Sequence, residues 1–226
     1  MAIGHLPTGT KGFDCNFAVD NKLARAFYAA GYRFAVRYVG RVEQKPHDAS
    51  SREVTRLLIA GLSVMLVQHV RSAESWNPEG AELGALYGRN AALFAEACGY
   101  ARGAVLWCDL EGVAADTPKS SVIAYCNAWH DAVTAAGYDP GVYVGWHAAL
   151  SGHELYYRLR FRRYWAAFNL NSDQYPAVRG IQMRQHPATE ADRVPGIEPL
   201  NAIDVNLIGQ DSLGGSPVLM LARGDR

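Results

Sequence analysis

The chain has 226 residues, 49% of them hydrophobic, which suits a sizeable core in one domain of barrel size or two small ones. Its formal net charge is zero and its pI is near neutral, so charge gives no case for a nucleic acid or an acidic membrane surface as partner. No uninterrupted apolar stretch is long enough to span a bilayer, which excludes membrane insertion by a helix.

The predicted elements alternate. Phe13-Asp14-Cys15 is a short strand, and Asp20 to Ala30 carries Leu23, Phe27 and Ala30 at helical spacing. Phe34 to Val39 is a strand. Ser50 or Ser51 caps a helix through Ala60, with Glu53 in its first turn. Leu62 to Val67 is a strand, Gly80 to Cys98 an Ala-rich helix, and Val105 to Leu110 a strand. A helix from Ser120 or Ser121 to Ala136 precedes the strand Gly141 to Val144, and Trp146 to Arg160 has room for a fifth helix. Helix, glycine, then strand recurs at Gly31, Gly61, Gly99 and Gly137, the pattern of βαβ units with a parallel sheet. Beyond residue 160, Tyr164 to Phe168, Gly180 to Gln185 and Ala202 to Leu207 are strand-like, with Pro- and Gly-containing loops between them.

This is an α/β chain, and its eight strands predict a single, irregular TIM-like β/α barrel: five β/α units followed by three strands with few helices. No composition break separates two domains, so residues 1–11 read as an N-terminal lead and 12–226 as one barrel domain. An open doubly wound sheet is the alternative. The first βα turn, Asp14-Cys15-Asn16-Phe17, has no Gly-rich phosphate loop, which argues against nucleotide binding. The four cysteines, Cys15, Cys98, Cys108 and Cys126, show no metal or Cys-x-x-Cys spacing and read as buried and reduced. Met1 to Pro7 lacks a charged n-region and an apolar h-region. The expectation is a chain made in the cytoplasm without a signal peptide, acting in the periplasm or cell wall only after release or secretion.

In a barrel the C-terminal ends of the strands carry the chemistry. Asp14, Arg37, His69, Asp109, Glu111, Tyr143, Trp165, Gln182 and Asp204 all read as lying at or near such ends. The sharpest signal is Asp109-Leu110-Glu111, which ends the apolar run Ala104 to Cys108. Alternation puts both acids on one face, their Cα atoms about 6.5 Å apart. Two acids that close cannot both ionise freely, so one pKa rises. Glycoside hydrolysis uses such a pair, one carboxyl protonated and one charged. Arg37 reads as an electrostatic partner that keeps a carboxylate ionised, and His69 as a hydrogen-bonded wall residue. Tyr143 and Trp165 suit stacking on the C–H face of a sugar.

The ordered set Gly12-Phe13-Asp14, Asp109-Leu110-Glu111, Gly141 to Gly145, Trp165 to Phe168, Gln182 and Ile203-Asp204-Val205-Asn206 resembles the lysozymes of glycoside hydrolase family 25. Ala30 to Tyr38, and Ala60-Gly61-Leu62 leading to a strand ending in Gln68, resemble more closely the glycoside-hydrolase-like domain of unknown function 1906, the Rv2525c-like group. The resemblance covers residues 12 to about 207. It implies a muramidase that cleaves β-1,4 bonds of peptidoglycan, with Glu111 as general acid and Asp109 as stabiliser of the oxocarbenium-like state or of a participating acetamido group. Asp14 and Asp204 would line the cleft, and Tyr143 and Trp165 the sugar subsites; Gln182, Arg37 and His69, from their places at strand ends, complete the candidate substrate-binding set. The sequence departs from the lysozymes at Cys15-Asn16, where a Ser is usual, and in the segment Val70 to Gly80.

Two alternatives accompany this reading. One is a catalytically inactive glycan-binding module on the same barrel. The other is metal-dependent hydrolysis with Asp14, Asp109, Glu111, Asp204 and His69 around a cation, which no sequence-local metal motif supports. The main reading expects no cofactor and no metal. Its partner is peptidoglycan or a related glycan, with any delivery or immunity partner unspecified. The apolar tail from Gly214 onward is expected to plug the barrel foot, add a strand or meet a partner.

Overall fold

The computed structural model describes residues 1–70 and 75–222. In chain order the elements are β1 (Ile3–Gly4), β2 (Lys11–Cys15), α1 (Asn21–Ala29), β3 (Phe34–Val39) and α2 (Ser51–Ile59). Next come β4 (Ser63–Gln68), α3 (Ala81–Ala97), β5 (Val105–Leu110), α4 (Lys119–Ala135), β6 (Asp139–Val144) and α5 (Gly152–Tyr157). The last strands are β7 (Arg163–Ala166), β8 (Met183–Pro187), β9 (Asp204–Ile208) and β10 (Leu219–Met220).

Strands β2 to β9 close into a barrel, with β4 paired to β5 at the seam. Helices follow the first five of these strands and none of the last three, as the alternating pattern predicts. Local chemistry sets the boundaries. Asp20 and Ser50 cap α1 and α2 through side-chain oxygens, and Ser151 with Glu154 forms a capping box at α5. Helix α4 starts at Lys119, a residue before the expected serines, because Pro118 supplies an extended lead-in. Gly31, Gly61, Gly99 and Gly137 have φ between 70° and 91°, so each turns the chain out of its helix where a side chain would be strained.

Two apolar layers hold the barrel. Along β5, Val105 and Trp107 point inside with Phe34, Val36, Met65 and Met183, while Leu106, Cys108 and Leu110 face the helices. All four cysteines are buried and unpaired. No helix among the described residues is long and apolar enough to cross a membrane.

Two features differ from the sequence reading. Strand β8 begins at Met183, not Gly180. Strand β9 runs antiparallel to both β8 and β2, whereas the other barrel pairs are parallel. A parallel return needs a crossover, and the β8–β9 link has only short 3-10 turns, so the chain doubles straight back. The apolar tail supplies β10, which wedges between the feet of β4 and β5. Met220 pairs with Val64, and the Val105 N–H donates to the Val218 carbonyl at 2.8 Å. Strand β1 pairs with β10 in turn, and Leu6 and Leu219 fill the barrel floor.

Candidate active site

The mouth of the barrel holds a cavity of about 210 Å³. Inward-facing positions of β5 and β9 bring Asp109 and Asp204 to it, Glu111 follows β5 at the rim, and Asp14 of β2 lies behind the lining, bonded to Tyr38 and Gln185. Asp204 arrives by a route the sequence reading missed. It stands at the N-terminal end of the reversed strand β9, directly opposite Asp14 in the ladder. The expectation of a C-terminal strand end is therefore corrected, while the location at the mouth holds.

A hydrogen-bond network fixes the floor. Asn206 Nδ2 donates to Asp14 Oδ2 at 2.8 Å, and the Tyr38 hydroxyl donates to Asp14 Oδ1 at 3.3 Å. Gln185 Nε2 lies 3.1 Å from both Asp14 Oδ2 and Asp204 Oδ2, bridging the two acids. Its own oxygen accepts from the Tyr143 hydroxyl at 2.9 Å. Tyr38, Gln185 and Asn206 were not singled out in the sequence. Asn206 stood two residues from Asp204 on the same strand face, which was a usable signal.

Burial dominates the electrostatics. Asp109 is held well above the usual carboxylate range by burial and then by Glu111, against a hydrogen bond from the Val70 N–H. Its Oδ1 is buried with no hydrogen-bond partner among the described residues. Glu111 is pushed up to about 7 by burial and then by Asp14. Asp204 is pushed up to about 7 by burial, Asp14 and Glu111. Burial also raises Asp14, while hydrogen bonds from Asn206, Gln185 and Tyr38 oppose the rise. Near neutral pH such a cluster holds protons as well as charge, as acid–base chemistry on an ether oxygen requires.

The Glu111 turn is braced. Trp76 donates its indole N–H to the Glu111 carbonyl at 2.7 Å, and Trp76 forms a bridge with Val113. Trp76, from the segment Val70 to Gly80, thus supports the acid; residues 71–74 of that segment lie outside the described residues. Gly145 lies so close that a Cβ there would sit 2.6 Å from Glu111 Cβ and Oε2.

The aromatic wall is deeper than expected. Tyr143 and Trp165 line the cavity with ring centroids 4.5 Å apart, but both are nearly fully buried. Trp165 Nε1 has no hydrogen-bond partner among the described residues. The half-exposed aromatics after β6 and β7 are Trp146 and Phe168, and Phe168 reaches the cavity.

Three expected site residues lie elsewhere. Gln182 precedes β8 at the barrel foot, where its side chain binds the Tyr164 N–H and the Arg162 carbonyl, each at 2.8 Å, and Asp211. The glutamine at the mouth is Gln185, because the strand starts three residues later than read. Arg37 points outward into the helix layer. Its Nε donates to Glu53 Oε1 at 2.8 Å and its guanidinium ties down the His47 and Cys15 carbonyls, so its partner is a helix acid of the core. His69 sits behind the cavity wall, stacked on Tyr38 and 2.7 Å from Asp48. The carboxylates and His69 therefore do not surround one cation position. Among the described residues, three such donors come together only at His47, Asp48 and His69.

The family model described as "Rv2525c-like, glycoside hydrolase-like domain" matches residues 25–206. The chain is similar in structure to the Tat-secreted protein Rv2525c of Mycobacterium tuberculosis, with TM-score 0.63 and 18% identity over 89% of this chain and 96% of that one. It is similar to the lysozyme of Streptomyces coelicolor, with TM-score 0.57 and 16% identity over 91% and 94% of the two chains. It is also similar to a muramidase from Acremonium alcalophilum, with TM-score 0.57 and 16% identity over 90% and 95%. A search of curated proteins finds no match by sequence.

Proposed function

Starting from the fact that this chain belongs to the Rv2525c-like, glycoside hydrolase-like family, we propose that it cleaves β-1,4 bonds of bacterial peptidoglycan as a muramidase. The observation that carries this reading is the carboxylate cluster at the mouth, with Glu111 pushed up to about 7. A carboxyl that titrates there is available as a proton donor at neutral pH and as a base after giving the proton up.

In this mechanism Glu111 protonates the glycosidic oxygen of the departing sugar. Positive charge develops on the ring being cleaved, and an acetamido group oriented by Asp109, whose burial favours its protonated form, stabilises it. Glu111, now charged, takes a proton from the water that completes hydrolysis. Asp14 and Asp204, bridged by Gln185, hold negative potential at the floor, and Gln185, Tyr38 and Asn206 keep it in place. Phe168, half-exposed at the cavity, offers apolar surface to the sugar ring, with the buried Tyr143 and Trp165 behind it. The names of the lysozyme and muramidase neighbours support peptidoglycan as the glycan. Such a substrate implies action outside the cytoplasm, in keeping with a relative described as Tat-secreted.

The test is release of reducing ends and soluble muropeptides from purified peptidoglycan by the wild type and by Glu111→Gln. Release by the wild type alone supports the assignment, and mass spectrometry of the fragments shows which sugar carries the new end. Equal release by both variants removes Glu111 as the acid. Saturable binding without release by either would indicate the glycan-binding module instead.

A further inference from the structure

We propose that His47, Asp48 and His69 form a binding site for a divalent transition-metal ion of the zinc type, behind the Tyr38 wall of the cavity. Two imidazole nitrogens, Nε2 of His47 and Nε2 of His69, converge on one carboxylate oxygen, Asp48 Oδ1, at 3.8 and 2.7 Å. All three donor atoms lie within 4.8 Å of one another. Three ligands around a tetrahedral zinc, each at about 2.0–2.2 Å from it, stand about 3.3–3.5 Å apart. The two separations straddle that value and the two imidazole nitrogens stand within 4.8 Å of each other, so side-chain movements of up to about 1.5 Å complete the geometry. Two imidazoles and a carboxylate are also the donor types that first-row divalent ions such as Zn²⁺ and Co²⁺ accept.

The site is built rather than incidental. The Asp48 side chain is fully buried, and among the described residues its ion-pair partners are these two imidazoles, with no lysine or arginine. Burying a carboxylate is costly, and a dication held by it offsets that cost. The other Asp48 oxygen accepts the Lys45 N–H at 2.7 Å, which orients the carboxylate. Gln44 closes the same loop by donating to the Ala49 carbonyl at 2.9 Å and accepting the Gly40 N–H. His69 is held by its stack on Tyr38, with ring centroids 4.6 Å apart. Beside it lies a separate cavity of about 330 Å³, lined by His69, Arg41, Lys45 and Glu43. It leaves room for a fourth ligand, and the two cationic side chains favour water or an anionic group in that position. The metal would fix Tyr38, whose hydroxyl donates to Asp14.

The experiment is a titration of the whole, chelator-treated and dialysed protein with ZnCl₂ by calorimetry and with Co²⁺ by visible absorption. The expected result is one equivalent bound, with tetrahedral Co²⁺ bands. His47→Ala and His69→Ala should each weaken binding at least tenfold, with circular dichroism unchanged. His47 is partly exposed, with 42% of its side chain accessible, so of the two its variant disturbs the fold less. His130→Ala, which breaks a different His–Asp pair, should bind as the wild type does. No saturable binding, or affinity unchanged in both ligand variants, overturns the site. A thiolate charge-transfer band would put the metal on cysteine and would also overturn it.

Discussion

Glu111→Gln should make the protein more stable at high pH and leave it unchanged at low pH. Burial and Asp14 raise the Glu111 carboxyl from its ordinary 4.5 to about 7 in the folded chain. The folded state therefore keeps its proton across a range where the unfolded state has lost it. Stability contributed by that proton is fully present below pH 4.5 and is lost as pH rises to about 7. At about 1.4 kcal/mol per pKa unit, the wild type is worse off by about 3 kcal/mol once Glu111 is ionised. Glutamine has nearly the same shape beside Gly145 but no charge. Urea unfolding at pH 9 should give the variant about 3 kcal/mol more stability, with the slope unchanged, and at pH 4 a difference within about 0.5 kcal/mol. The variant also removes one charge that raises Asp109 and Asp204, so their titration should move down. A difference that is the same at pH 4 and pH 9, or a variant less stable at pH 9, would refute the argument that Glu111 is buried at the expense of its charge.

The remaining predictions concern the same cluster. Hydrolysis should fall about tenfold per pH unit above the point near 7 where Glu111 loses its proton, and a pH–rate profile flat from 6 to 9 would exclude it as the acid. Gly145→Ala places a methyl 2.6 Å from Glu111 Cβ and Oε2, so glycan release should drop at least tenfold for about 1–3 kcal/mol of lost stability. Full activity in that variant would show that Glu111 can move freely. Asn206→Ala removes the shortest hydrogen bond to Asp14, and thermal or urea melts should show a loss of about 1–3 kcal/mol that shrinks at acid pH as Asp14 becomes protonated.

The barrel was legible because helix, glycine turn and apolar strand recur four times along its first five units, at Gly31, Gly61, Gly99 and Gly137. Asp109 and Glu111 were legible for a related reason: a period of two along one strand decides which side chains share a face. What escaped depended on contacts between distant segments. The direction of β9 is set by the missing crossover helix and not by any residue in the strand. The register of β8 could not be read from Ile181-Gln182-Met183-Arg184-Gln185, where glutamines three apart compete for the mouth. Arg37 looked like a site residue because its partner, Glu53, comes from the following helix. Trp76 was marked only as a departure from the lysozyme pattern, and its grip on the Glu111 carbonyl needed the folded chain to be seen.

The wedge of β10 between β4 and β5 also settles how this protein can be tethered. Because β1 pairs with β10, residues 3–4 and 219–220 lie side by side on the face opposite the acids. Chain that leads into β1 or out of β10 therefore meets the barrel at its floor, away from the mouth. A molecule held at that floor would present its acids outward.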